Sequence, residues 1–175
     1  MTSYVALLRG INVGGSNKVP MTDLRAMFAA NGFADAQTYI QSGNVVFSAT
    51  ATEAALVHTL EAAIAKSFSL QIPVMVRSKA QLAAVLAADP FPEAASNMAH
   101  VAFLSAKPPA KAIAGLDPDR SPPDVFMVAG REVYLHYPNG SGCSKLTGDY
   151  LERVLGVRVT VRNRNTVFKL LSLMG

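Results

Sequence analysis

An element order of β-α-β-β-α-β, legible twice along 175 residues, predicts an α+β fold of two ferredoxin-like subdomains packed together, with a C-terminal helix added. Three observations carry this expectation. Short apolar runs alternate with segments of helical period. The Asp89-Pro90-Phe91-Pro92 break divides the chain near its middle. The first run, Tyr4 to Leu8, is apolar at every position, so its strand needs cover on both faces. A ferredoxin-like sheet carries helices on one face only, and the second half is the simplest cover for the other.

The elements follow in order. Ser3 to Ile11 reads as a buried strand closed by Gly10 and the Asn12, Gly14, Gly15 cluster. Met21 to Asn31 places Met21, Leu24, Met27 and Phe28 at helical spacing between Pro20 and Gly32. Ala36 to Gln41 and Asn44 to Ser48 are β-rich runs joined by Ser42-Gly43, a hairpin signal. Thr52 to Phe68 repeats Leu56, Leu60 and Ile64 every four residues, with Thr52 and Glu53 suited to its first turn. Ile72 to Arg77 is a fourth strand, placed at an edge by Pro73, and Ser78 to Ala88 a third helix.

Beyond the break the order repeats. Ala99 to Leu104 is a strand and Pro109 to Leu116 a short helix. Val125 to Val128 and Glu132 to Tyr137 flank Gly130-Arg131 as a hairpin. Lys145 to Leu155 is a helix stopped by Gly156, Val157 to Val161 a strand, and Asn165 to Met174 the final helix. The repeat is one of element order, with no residue-level repeat visible. The expected division is a first subdomain over 1–77, a helix and linker over 78–97, and a second subdomain with the final helix over 98–175.

Composition narrows the class. Hydrophobic residues make up 50% and charged residues 16%, enough for a sizeable core and too apolar for disorder. One cysteine excludes an internal disulfide, and His58, His100 and His136 lie far apart without ligand neighbours. No metal and no cofactor are expected. No basic-then-apolar leader opens the chain, and no apolar run reaches the ~18 residues of a membrane span, so a cytoplasmic protein without membrane contact is expected. Net charge is +4, and Ser144 to Gly175 alone holds six basic residues against two acidic ones, a difference of +4. Arg162 and Arg164, two apart at a strand end, are expected to join Arg9 and Lys18 in a cationic rim.

Three loops could carry chemistry. Arg9-Gly10-Ile11-Asn12-Val13-Gly14-Gly15-Ser16-Asn17-Lys18 runs from a strand end through a glycine pair toward a helix, a shape able to offer backbone N–H groups to an anion. It matches neither the P-loop nor the dinucleotide fingerprint. Gln41, Ser42 and Asn44 form an uncharged hydrogen-bonding hairpin. In this topology the first and third strands are antiparallel neighbours, so the start of the third lies beside the end of the first, which brings Ser42 and Asn44 close to Arg9 and Asn12. Asn139 to Lys145 is a glycine-serine loop ahead of a helix. Each has an ordinary turn reading as well. Cys143 lacks an inferable histidine, the carboxylates do not pair, and no general base is nominated. Base stacking on the sheet would have only Tyr4 and Phe47 to use, so nucleic acid is a weak expectation.

Tyr4 to Gly15, then Met21 and Leu24, then Thr38 to Phe47 together resemble an uncharacterised bacterial family, domain of unknown function 1697. Ser144-Lys145-Leu146, Arg162-Asn163, Asn165-Thr166-Val167 and Lys169-Leu170 resemble its closing motif. The family usually has a tryptophan after the Arg-Asn pair, where this chain has Arg164. The resemblance implies two ferredoxin-like subdomains and no activity, and it singles out Arg9 to Lys18, Gln41 to Asn44 and Arg162-Asn163. The expected function is binding of a small anionic or nucleotide-like ligand at the junction of the subdomains. The ligand set is Arg9, Asn12, Gly14, Gly15, Lys18, Gln41, Ser42, Asn44, Arg162 and Asn163. An enzyme acting on a phosphorylated or nucleotide-like substrate and a protein-interaction module are the alternatives.

Overall fold

The computed structural model describes Met1–Gly175. The chain divides into two compact units, Met1–Ala84 with Lys169–Gly175, and Val85–Phe168. The division falls inside the third helix rather than before it. The last seven residues belong with the first unit, not with the second half as their position in the sequence implied.

In the first unit the elements are β1 (Thr2–Leu8), α1 (Met21–Ala30), β2 (Gln37–Tyr39), β3 (Asn44–Ala49), α2 (Glu53–Phe68), β4 (Val74–Ser78) and the start of α3 (Lys79–Ala87). Its antiparallel sheet has the order β2-β3-β1-β4, the ferredoxin-like arrangement, with β4 at the edge that Pro73 indicated. Alternate residues of the sheet, Ala6, Leu8, Val45, Phe47, Val74 and Val76, pack against the apolar stripes of α1 and α2. The intervening residues Val5, Leu7, Val46 and Met75 are buried as well, so both faces of β1 are withdrawn from water. Thr52 caps α2, its Oγ1 accepting from the Ala55 N–H at 3.3 Å, and Ser69 closes it in the left-handed conformation.

The second unit repeats the plan with β5 (Ala99–Leu104), α4 (Ala110–Ala114), β6 (Val125–Ala129), β7 (Glu132–His136), α5 (Gly148–Leu155), β8 (Val159–Asn163) and the start of α6 (Arg164–Leu173). Its sheet order is β6-β7-β5-β8. Ala102, Leu104, Val133, Leu135 and Val159 pack on Leu151 and Leu155 of α5. Tyr137 donates to the Leu146 carbonyl at 2.8 Å and Tyr150 accepts from the Asp117 N–H at 2.9 Å. No helix is long and apolar enough to cross a membrane.

Register exposes a residue-level repeat that the linear sequence hides. Val5 stands opposite Arg77 in the first sheet, and Val101 opposite Arg162 in the second. Tyr4-Val5-Ala6-Leu7-Leu8 therefore matches His100-Val101-Ala102-Phe103-Leu104, and Val74 to Ser78 matches Val159 to Asn163. The supporting contacts repeat too. The β4 N–H of Val74 donates to Glu61 of α2 at 3.0 Å, and the β8 N–H of Val159 donates to Glu152 of α5 at 2.9 Å. Ser78 accepts from the Gln81 N–H at 3.2 Å and Asn163 from the Thr166 N–H at 2.8 Å, each capping the helix that follows its arginine strand.

Candidate functional site

β1 delivers the chain to a loop, residues 9–19, that is closed by its own polar groups. Val13 and Ser16 bridge across Gly14 and Gly15, which sit at φ +59° and +76°, the two positive values a type I′ turn requires. The Asn12 N–H donates to the Asn17 carbonyl at 3.0 Å, and the Asn17 amide donates to the Gly10 carbonyl at 3.1 Å. Asn12 pins the base: its Oδ1 accepts from the Val19 N–H at 2.8 Å, while its Nδ2 donates to the Val19 carbonyl and to the Gln41 carbonyl, both at 2.9 Å. The loop 9–19 and the hairpin turn 40–43 are thus tied together as the antiparallel β1–β3 pairing predicts. Gly43 fits the joint because it has no side chain: a Cβ there would lie 2.6 Å from Ile11 Cδ1 and 3.0 Å from Leu8 Cβ.

The two loops are strained and exposed. Four non-glycine residues have positive φ, and three of them, Asn12, Asn17 and Ile40, lie here. Asparagine tolerates this region, whereas a β-branched isoleucine at φ +50° does not, and Ile40 is also 48% exposed. Val13 stands 65% exposed across the joint. Residues 9–19 and 40–44 include Arg9 and Lys18 and no carboxylate, histidine or cysteine, so the charged side chains of these loops are all cationic. Gly14, Gly15, Lys18 and Gln41 are exposed, and Arg9 and Ser42 half-buried. Asn44 is withdrawn instead: it is fully buried, its Nδ2 donating to the Tyr39 carbonyl at 2.9 Å and to Ser42 Oγ at 3.0 Å. Asn12 and Asn44 are structural pins. Sequence alone held no signal for the Ile40 strain.

The expected cationic rim is corrected at its C-terminal members. Arg162 is buried, its Nη1 donating to Thr160 Oγ1 at 2.7 Å and to the Val161 carbonyl at 3.0 Å. Burial lowers its pKa to about 10, which still leaves it charged at neutral pH. Arg77 is its counterpart in the first unit, 1% exposed and bonded likewise to the carbonyl of the preceding residue, Val76. Arg164 is buried too. Its Nη1 donates to Asp89 Oδ2 at 2.7 Å and to the Phe91 carbonyl at 2.9 Å, and its Nη2 to the Ala94 carbonyl. The position at which the resemblance expects tryptophan holds a clamp on the linker of the second unit. Asn163 is occupied as the α6 cap.

The remaining candidates are placed as follows. Tyr4 and Phe47 lie on the helix-packed face of the first sheet, where Phe47 meets Phe28 at 5.3 Å and Phe33 at 4.9 Å between ring centroids. They form core rather than an open stacking platform. The 139–145 loop contains a short 3-10 turn, Ser141–Cys143, and α5 starts only at Gly148, three residues past Lys145. Cys143 is exposed and in no disulfide. No group of three or more His, Cys, Asp or Glu is arranged to hold a metal ion.

Fold and loops together define a two-unit ferredoxin-like α+β protein. The chain belongs to the family described as a protein of unknown function, DUF1697, which matches residues 1–134. That match contains both loops and ends within β7, ahead of the Arg162-Asn163 segment. Among solved structures the chain is similar to a conserved bacterial protein of Streptococcus pneumoniae, with 26% identity, a TM-score of 0.73 and 99% of each chain covered. Among curated proteins none matches.

Proposed function

We propose that this protein is a cytosolic binding protein for a small anionic or nucleotide-like ligand, and that loops 9–19 and 40–43 form its contact surface. The observation that carries the reading is the concentration of positive-φ residues in two exposed, mutually bonded loops. An isoleucine at φ +50° with half its surface in water costs about 1–2 kcal/mol that a glycine or asparagine would not, and such strain clusters where ligands are held. Arg9 and Lys18 supply positive charge, and Gln41 and Ser42 supply neutral donors. With no carboxylate, imidazole or thiol beside Arg9 and Lys18, the reading taken is binding rather than catalysis by this surface.

The test is a thermal-shift series with inorganic phosphate, mononucleotides, sugar phosphates and short oligonucleotides, since a ligand of the native state raises the melting temperature by mass action. At least one mononucleotide or sugar phosphate is expected to give a saturable shift. Arg9→Met should abolish that shift, read against the variant's own ligand-free melting temperature. Ile40→Asn should raise ligand-free stability by about 1 kcal/mol and weaken the shift. A panel without any shift, or a shift that survives both substitutions, overturns the proposal.

A further inference from the structure

The segment between α3 and β5 encloses a cavity of about 470 Å³ against the end of its own sheet, within the range of about 300–1,000 Å³ usual for small-molecule sites. The cavity belongs wholly to the second unit: residues 90–95 and Met98 form one side, His136 and Pro138 the other.

Its walls are held by bonds within the chain. The Phe91 N–H donates to Asp89 Oδ1 at 2.8 Å, and the Tyr137 N–H donates to the Met98 carbonyl at 2.9 Å. Arg164 grips the carbonyls of Phe91 and Ala94. The rings of Phe91 and His136 lie 5.8 Å apart between centroids, inclined by 35°, and make two adjoining walls. An imidazole here is not a demand of the fold, because strand register puts Ser48 of the first unit at the position of His136.

The lining chemistry selects the charge of the occupant. Pro90, Pro92 and Pro138 have no N–H to donate. The N–H groups of Ala94 and Met98 are already bonded, to the Phe91 carbonyl at 3.0 Å and the Ala95 carbonyl at 2.8 Å. An anion would find few donors. Glu93 is exposed, and its carboxylate is in no ion pair. The Arg164 guanidinium is matched by Asp89 at 2.7 Å, so the unpaired charge at the cavity is negative. The ring face of Phe91 attracts a cation within about 6 Å of its centroid, and the Met98 thioether is a soft contact for methyl groups.

We propose that this cavity binds a small organic cation: an alkylated ammonium on an apolar body. The head lies against the Phe91 ring and the Glu93 carboxylate, and the body against Met98 and the proline rings. This site lies in the second unit and takes a ligand of opposite charge to the one assigned to loops 9–19 and 40–43, so neither reading depends on the other.

The probe is benzyltrimethylammonium chloride, titrated by calorimetry and followed through the ring resonances of Phe91 and His136. Binding should saturate, with affinity at least about fivefold above that of benzyl alcohol, and benzenesulfonate should not bind. Glu93→Gln, at an exposed position that the fold does not need, should weaken binding about threefold. Phe91→Leu keeps apolar bulk and removes the ring face, and should weaken it about fivefold. Arg9→Met should bind the cation as the unaltered protein does. Any of four results overturns the proposal: no saturable binding; equal binding of benzyl alcohol or benzenesulfonate; an affinity indifferent to both Glu93→Gln and Phe91→Leu; or saturation without movement of the Phe91 and His136 resonances, which would put the cation elsewhere.

Discussion

Arg164 shows how far one side chain's role can lie from its local sequence. It follows an Arg-Asn pair at a strand end and, by charge alone, belongs on the surface. Asp89, 75 residues earlier, draws it inward, and the guanidinium fork then satisfies carbonyls of the 89–96 segment that would otherwise face a buried site unpaired. Truncation should therefore cost more than a surface pair. Arg164→Ala is expected to destabilise by about 3 kcal/mol and Asp89→Asn by less, with a coupling energy of about 1–2 kcal/mol in the double-mutant cycle. Urea unfolding of the four proteins measures it, and additive losses would show that the pair does not act as a unit.

At the scale of elements, the junction of β1 with the β2–β3 hairpin is held by a few atoms. Gly43 combines φ +86° with the close approach of Ile11 and Leu8, whereas Gly14 combines φ +59° with open space. The two glycines separate conformational cost from steric cost. Gly14→Ala should lose about 1–2 kcal/mol from the left-handed backbone alone. Gly43→Ala should lose about 2–4 kcal/mol, because Ile11 must also move. Chemical denaturation gives both values; equal losses would mean that Ile11 yields without cost. Since Ile11 sits within the proposed binding loop, Gly43→Ala should also reduce the ligand shift while Gly14→Ala tests the turn itself.

For the whole molecule, the repeated units differ where they carry titratable groups. His100 occupies the β5 position that Tyr4 occupies in β1, and its Nδ1 is buried without a hydrogen-bond partner. Burial holds its pKa below the ordinary 6.5, against a weaker opposing pull from the Met98 backbone. As pH falls through 6.5 the unfolded chain takes up this proton first. Stability is therefore full above 6.5 and declines as pH drops toward the native value. His100→Phe keeps the ring and removes the proton site, so its melting temperature should vary less with pH across that window. Parallel curves for the two proteins would assign the acid sensitivity to other groups. Burial also raises the phenols of Tyr134, to about 12, and Tyr137, so neither ionises in the range where His100 is read.

The elements and their order were legible in the linear chain, because caps, turn residues and hydrophobic period act within a few residues. Thr52, Gly156 and the Gly130-Arg131 hairpin needed no tertiary information. The antiparallel pairing of β1 and β3 in this topology brought the 40–43 turn to Asn12, although the bond falls on the Gln41 carbonyl rather than on Ser42 or Asn44. Three properties belonged to the tertiary structure. Arg164 is buried because its partners Asp89, Phe91 and Ala94 lie 70 to 75 residues earlier in the chain, which no count of nearby charges reveals, and Arg162 is buried although its guanidinium bonds to Thr160 and Val161 beside it. The left-handed Ile40 is invisible in sequence because isoleucine is a residue that local preference steers away from that conformation; only the closed hairpin imposes it. The residue-level repeat became legible only through strand register, because loops and helices of unequal length shift matching positions out of step along the chain while hydrogen bonding across the sheet holds them opposite equivalent partners.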